Sequence, residues 1–539
     1  MMKHVLRFIL IAVLAPAAAV HAQGIPVTQN SIEEAYRRAQ LDGKLDSSVS
    51  FTVRPLVPAS AFRSDSLPDG LLRWTGTSGI STANGNLSLG LLPLILKQQY
   101  NSNVPYGWND GAMIPAAGYQ TLLSAGVYAK LGPLSIRLQP EYIYAANSDY
   151  ENTIVNQPYS QVTDLPGRFG TDAFSRLNWG QSSIRLEAGP VSLGLSNENL
   201  WWGPGIRNSI LMGNSAPGFK HITLNTTRPL RTPAGSLEVQ LVGGRLEGSD
   251  FADPALNKRD DWRYMSAAVL VWQPKWVPGL FLGLTRSFQA YHSDLNKWGD
   301  YIPLFTPYQK KNTNNGDPFD RDQLTTIYSR WLMQKAKAEL YFEYGVNDNA
   351  YNLRDFTMSP EHARAYTFGF RKLLPLERRE GEQIQVSAEV TQLSQSIDRI
   401  LRDAQAFYIH GTVLHGYTHQ GEVLGAGIGP GGNMQSFDVS WVKGIKSVGF
   451  QFERYVHNND FYYQFLGGDF NGQSRRWVDL GFAATGTWDF TNLLVNAKLQ
   501  GIQSLNYQWL MKNYRPDTYY IPENDIFNVH LELGLTYRF

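Results

Sequence analysis

Apolar and polar residues alternate along much of this chain. In the C-terminal stretch IFNVHLELGLTYRF, Phe527, Val529, Leu531, Leu533, Leu535, Tyr537 and Phe539 are apolar or aromatic, whereas Asn528, His530, Glu532, Gly534, Thr536 and Arg538 are polar or small. Side chains alternate across a strand, so this pattern predicts a strand with one greasy and one wet face. The same period recurs in SIRLEAG (183–189), LEVQLVG from Leu237, AKAELYFEYG from Ala336, EQIQVSAEV from Glu382 and SVGFQFERY from Ser447. Tight breaks join some of these segments. YAKLGPLSIRL turns at Gly132 and Pro133, and IRLEAGPVSLGL at Gly189 and Pro190, where Gly permits positive φ and Pro interrupts the ladder. Polar stretches at 147–172, 291–322, 347–360 and 458–473 predict long loops.

A strand of a soluble sandwich alternates in the same way, so the ends of the chain decide what the apolar face meets. The start, MMKHVLRFILIAVLAPAAAVHAQG, places Lys3, His4 and Arg7 before an apolar run at 8–20, with Ala22 ahead of Gln23. That is the pattern of a secretory signal peptide, residues 1–22, cleaved after Ala22. No later segment approaches the roughly 20 apolar residues of a membrane helix, and the mean hydropathy is -0.30. Export, recurring alternation and a last strand ending on Phe539 together predict an all-β fold: a large antiparallel transmembrane β-barrel with lipid outside and a polar lumen. Region 74–539 accommodates roughly 16 to 18 strands, with short turns on the periplasmic side and long loops outside. Region 23–73 differs. In SIEEAYRRAQLDGKL, Ser31 and Glu34 form a capping box, and Ile32, Ala35, Tyr36, Ala39 and Gln40 keep helical spacing up to Gly43. A helix this short needs packing to persist, which places it at the periplasmic mouth of the barrel.

Composition narrows the chemistry. The 539 residues hold no linker-like segment, so one large domain follows the leader. With no cysteine, disulfides, thiolate metal sites, cysteine nucleophiles and lipoprotein acylation are excluded. A formal charge of +1 gives no reason to expect a nucleic-acid partner. The 14 Trp and 28 Tyr suit the aromatic girdles of a barrel.

Two stretches stand out. Residues 197–205 read NENLWWGPG, directly after the strand-like VSLGLS. Adjacent residues of an extended chain point to opposite faces, so one of Trp201 and Trp202 is expected at the lipid interface and the other in the lumen. The inward ring, beside Asn197, Glu198 and Asn199, would offer a sugar a flat apolar face with hydrogen-bonding groups at its edge. Residues 415–433 read HGYTHQGEVLGAGIGPGGN. Gly427, Gly429 and Gly432 match G-x-G-x-x-G, but Pro430 interrupts it and an alternating SFDVSWV follows where a dinucleotide site needs a helix. His415, His419 and Glu422 share a face without a matching cluster elsewhere, so hydrogen-bonded or lumen-lining histidines are expected rather than zinc. In GDPFDRDQ, Asp317, Asp320 and Asp322 lack the Gly and terminal Glu of a calcium loop and predict a solvated loop. No G-x-S-x-G elbow is present, and no residues single themselves out as a catalytic triad.

ENLWWGPG with the following RNSILMGNSAPGF, the later YTHQGEVLGAGIGPGGN, and YRRAQLDGKL and RPL near the start resemble the capsule assembly Wzi family of Gram-negative outer-membrane proteins. The resemblance spans most of the chain after the leader. It implies an 18-stranded barrel with a helical element near its periplasmic end, without cofactor or metal. It implies a non-catalytic, lectin-like role: binding capsular polysaccharide or exopolysaccharide and attaching it to the cell surface. The partners it implies are that polymer, outer-membrane lipid and other capsule export components, around a monomer. Glu198, Trp201, Trp202, Gly203, Pro204, Gly205, His419, Gly425, Gly429 and Pro430 carry over as motif positions. The chain departs from the pattern in showing one clear helix where the family implies a small bundle. A pore or polysaccharide export conduit, and an outer-membrane hydrolase, stand as alternatives, separable by conductance and by polymer shortening.

Overall fold

The computed structural model describes residues 18–20, 24–62, 69–75, 77–82, 87–152, 166–250, 256, 258–305, 321–347, 353–395, 406–466, 476–509 and 525–539. Its strands form a closed antiparallel barrel of 18 wall strands. The first, Leu87–Tyr106, pairs with the last, Ile526–Tyr537, from Leu94↔Tyr537 to Asn101↔His530, and this seam closes the wall. The alternation read from the sequence is the wall itself. Phe527, Leu531, Leu533, Tyr537 and Phe539 are exposed on the outer face, while Asn528, His530 and Thr536 are buried in the lumen. Exposed apolar side chains continue around the barrel (Phe450, Phe482, Leu499), far more than a surface in water retains. Near the short turns, Trp441 and Trp488 stack with centroids 6.4 Å apart and Lys446 Nζ lies 4.8 Å over Trp488, an interfacial girdle. No described helix is long and apolar enough to cross a membrane.

The two turns expected at Gly-Pro pairs are there. Gly132 at φ +55° links Ala116–Leu131 to Leu134–Leu138, and Gly189 at φ +60° links Ser183–Ala188 to Val191–Ser196. Parts of the four long polar stretches, 153–165, 306–320, 348–352 and 467–475, lie outside the described residues. So do the residues around the cleavage expected after Ala22 and most of residues 1–22, the expected leader. Within it, only Ala18–Val20 is described, paired with residues 77–79.

The N-terminal helix, Asn30–Leu41, sits inside the barrel at the end carrying the short turns. It ends as Gly43 predicts. Gly43 at φ +78° donates to Gln40 O, and Lys44 donates to Ala39 O, satisfying the last carbonyls. The capping box does not form. Gln29 holds the N-cap position without a side-chain bond, Ser31 lies within the helix, and Glu34 reaches Arg371 of the wall at 2.5 Å instead. A buried guanidinium needs a carboxylate more than a helix end needs a cap. The small bundle implied by the family resemblance is also present. Two further helices, Pro58–Ala61 and Asp69–Thr75, gather with the first around Tyr36, Phe51, Phe62, Leu71 and Trp74. At 4 and 7 residues they are too short to write a helical period into the sequence.

Segments 197–219 and 406–432, which join wall strands, turn inward and fill one side of the lumen. Their Trp202, Ile210, Leu211, Met212, Phe407 and Tyr408 form a buried core with the inner wall.

Candidate functional site

The first motif lies at the centre of this plug. Trp201–Trp202 is a two-residue strand paired antiparallel with Val53–Arg54 of the N-terminal segment. Trp202 N donates to Met212 O and Gly203 N to Thr52 O. The Trp202 ring is 0% exposed, and its Nε1 donates to Gln240 Oε1 at 2.9 Å. The Trp201 ring is 4.7 Å beneath the Arg54 guanidinium. Neither ring meets lipid, contrary to the expectation of an interface anchor. The strand-face rule fails because this pair lies inside the lumen, away from the lipid-facing wall.

Glycine makes the inward turn. A Cβ on Gly205 would lie 1.8 Å from Asn208 O, and one on Gly203, at φ +125°, would lie 2.8 Å from Glu343 Oε2. The carbonyls of the turn are taken up by the N-terminal segment: Pro204 O accepts from Arg37 at 2.9 Å and Gly205 O from Arg54 at 3.2 Å. Arg54 is itself paired with Glu33. Just beyond, Glu389 accepts from the backbone N–H groups of Ile206, Arg207 and Asn208. The lead-in residues tie the turn to its base. Asn197 Nδ2 donates to Gly180 O and Gly218 O, and Asn199 Nδ2 to Ala216 O. Burial alone would raise the Glu198 carboxyl, but Arg185 at 2.6 Å and Arg137 at 3.8 Å hold it down at about 2.

The second motif packs on the first. Gly213 N donates to Leu424 O, and a Cβ on Gly425 would lie 2.3 Å from both Ile210 O and Tyr408 Oη. Gly429, at φ +70°, donates to Ala426 O, and Pro430 is buried beside it. Strand Asn433–Lys443 follows directly, as the alternation predicts.

His415, His419 and Glu422 take separate partners. Glu422 pairs with Arg168, and His419 Nδ1 accepts from Glu247 N. His415 Nε2 lies 3.1 Å from Arg259 O, which can only accept, so its Nδ1 accepts the Tyr291 hydroxyl at 2.9 Å. Among the described residues no group of three His, Asp or Glu could hold a metal ion. Of the acidic run, Asp317 and Asp320 lie outside the described residues, and Asp322 accepts from Gln289 Nε2.

Burial pushes both histidines below their ordinary 6.5, to about 4 for His415 and about 3 for His419. The native state therefore binds fewer protons than the unfolded chain between those values and 6.5, and stability falls as pH is lowered through that window. At about pH 5 each histidine is expected to remove on the order of 2 kcal/mol. Glu198 contributes nothing there, because its loss begins only below 4.5. Heat unfolding of the folded protein, measured at pH 7 and pH 5 with His419→Gln alongside, checks this: the variant should flatten the slope.

Sequence reasoning missed the loop end opposite the short turns. Trp298 is 86% exposed there, in the single turn Trp298–Tyr301, where Asp300 accepts from the N–H groups of Asn296 and Lys297 and fixes the turn. Nearby, Trp262 stacks on His292 at 4.1 Å, and Arg245 lies 4.9 Å over the Trp262 ring. A tryptophan in a polar loop has no period to betray it; the only signal was its presence in SDLNKWGD.

A closed barrel with a lipid-facing apolar belt and a lumen occupied by its own inward loops defines a plugged barrel of the outer-membrane type. The family model for capsule assembly protein Wzi matches residues 116–498, and the chain belongs to that family. Wzi of Escherichia coli, described as an outer-membrane protein involved in group 1 capsule assembly and a carbohydrate-binding β-barrel, is similar in structure, with a TM-score of 0.61 at 12% identity over 97% of this chain and 100% of that one. OccK7 of Pseudomonas aeruginosa and OccAB2 of Acinetobacter baumannii align over 83% of this chain and 99% and 98% of theirs, at 10% and 11% identity and TM-scores of 0.38 and 0.40. No curated protein sequence matches the chain.

Proposed function

We propose that this protein is a non-catalytic barrel that binds capsular polysaccharide or exopolysaccharide at the outer surface and attaches it to the cell. The observation that carries this reading is the plug. Loops that would frame an aperture in a pore are folded into a core around Trp202, Ile210 and Tyr408, and the loop end offers aromatic rings with charged neighbours instead. A sugar ring has an apolar C–H face and hydroxyl edges, which match an exposed indole flanked by such groups. Each contact is weak, and a repeating polymer multiplies them. Carbohydrate binding by the Escherichia coli relative and membership of a capsule assembly family support the same reading. On this reading the motif residues Asn197 to Gly205 and His415 to Pro430 hold the plug and leave polymer contact to the loops.

The test is saturable binding of the detergent-folded protein to the surface polysaccharide of its source strain, with the polymer intact afterwards. Trp298→Ala should weaken binding about two- to tenfold, the worth of one stacking contact, without moving the heat-unfolding midpoint. Large single-channel conductance in a planar bilayer, or polymer shortened by incubation, would replace this reading with the conduit or the hydrolase.

A further inference from the structure

The lumen is not packed throughout. On the side of the first and last wall strands, a cavity of about 410 Å³ lies between the N-terminal helix and the wall, within the size range of small-molecule sites. It runs from Ser447, Thr487 and Asn496, beside the short turns, to Trp108 and Asp110 at mid-barrel. There the loop 107–115 covers it, fastened to the plug by Gly111 N to Asn214 O at 2.7 Å and Asn214 Nδ2 to Asn109 O at 2.9 Å.

Six cationic and six acidic side chains line the cavity, so their charges balance, and some of them are paired. Arg54 lies against Glu33, Arg371 against Glu34 at 2.5 Å and Lys498 against Glu532 at 3.7 Å, while Arg207 is paired with Glu453, which does not line the cavity. Such a wall offers no excess of either sign to a bare ion. What it presents is a dense alternation of donors and acceptors, joined by the Asp110 carboxyl and the amide of Gln99, which donates to it at 3.0 Å. Among these polar groups stand aromatic rings, Tyr106, Trp201, Tyr341 and Trp108; of the two indoles Trp108 is the one only partly buried, with the Arg207 guanidinium 4.9 Å over its ring. A neutral polyhydroxylated ring satisfies all of these at once. Its hydroxyls both donate to carboxylates and accept from cations and amides, and its C–H face packs on the indole.

We propose that this cavity is a second saccharide site, entered from the short-turn end and taking one or two neutral pyranose units of an oligosaccharide or chain end. It rests on its own lining and stands apart from the loop end, with the loop 107–115 and the plug to which it is fastened between them. A polymer held by the surface loops does not reach it; a glycan arriving from the other side does.

The chain has no cysteine, so a single introduced one reports on the cavity. Ser387→Cys places a thiol on its wall. In the full, detergent-folded protein, cellotetraose and maltotetraose serve as neutral probes and trigalacturonate as the anionic one. At least one neutral tetrasaccharide is expected to slow maleimide labelling at least fivefold in a saturable way, with trigalacturonate weaker. Adding Trp108→Ala should abolish the protection. Asp110→Asn, which keeps the volume, is used where Trp108→Ala loses heat-modifiable mobility. In cells, a maleimide too large for porins should label Ser387→Cys only after the outer membrane is opened. Labelling unaffected by any sugar overturns the site, stronger protection by trigalacturonate overturns the neutral class, and labelling in intact cells overturns the direction of entry. Trp298→Ala separates the two readings: it should weaken capture of surface polymer and leave this protection unchanged.

Discussion

Glu339→Ala is expected to lower stability by about 3–5 kcal/mol, the cost of removing one partner from a buried ion pair. Three arginines from two parts of the molecule converge on this one carboxylate. Arg37 of the N-terminal helix lies at 2.9 Å, Arg330 of the wall at 2.6 Å and Arg371 of the wall at 3.7 Å, all with side chains at most 1% exposed. Arg371 keeps Glu34 when the carboxylate is gone, but Arg37 and Arg330 lose their only ion pairs among the described residues. The effect reaches the plug, because Arg330 also donates to Gln40 Oε1 and Ser50 O, and Arg37 to Pro204 O in the WWGPG turn. Glu339→Gln, which keeps shape and acceptor but not charge, should fall between wild type and Ala. The measurement is the midpoint of heat-modifiable gel mobility at neutral pH. Three proteins with the same midpoint would show that the cluster does not hold the helix.

Gly205→Ala should cost about 3 kcal/mol or more, at the upper end of what overpacking does to a core. The obstacle is backbone: the carbonyl of Asn208, 1.8 Å from the new Cβ, cannot swing away as the end of a flexible side chain does. Relieving it means moving residues 206–208, whose N–H groups are the ones Glu389 binds. The plug should therefore loosen while the wall remains, seen as a lowered unfolding midpoint together with a new channel conductance. Gly132→Ala is the control, since nothing lies within 4 Å of its Cβ and only its positive φ of +55° resists the change. Equal behaviour of the two variants would remove the spacing argument for this glycine.

The wall was legible because it separates two solvents. Phe527 to Phe539 alternate since one face of that strand meets lipid and the other meets polar plug and lumen, and the turn glycines Gly132 and Gly189 announce themselves for conformational reasons. The plug was not legible for the converse reason. Segment 197–219 lies inside the barrel, mostly buried against other protein segments, so its residues are chosen for shape and hydrogen bonding and follow no period. Trp201 and Trp202 were read by a rule for wall strands that does not hold in the interior. The ion pairs that seat the helix were beyond reach for another reason: Arg37 and Glu339 are 302 residues apart, and nothing local in either links them. Trp298 was invisible because solvent imposes no pattern.

The seam between Leu87–Tyr106 and Ile526–Tyr537 also sets an order of events. The helix Asn30–Leu41 precedes by hundreds of residues the groups that fasten it, Glu339, Arg371 and the carbonyl of Gly444. Its arginines and glutamates must travel hydrated until those strands exist and curl around them, so the slowest, most non-local contacts come last. Closing the seam is then the moment at which the segment carrying this helix becomes an enclosed one. A chain cut short before its final strand would have synthesised every residue of the plug and have nowhere to keep it.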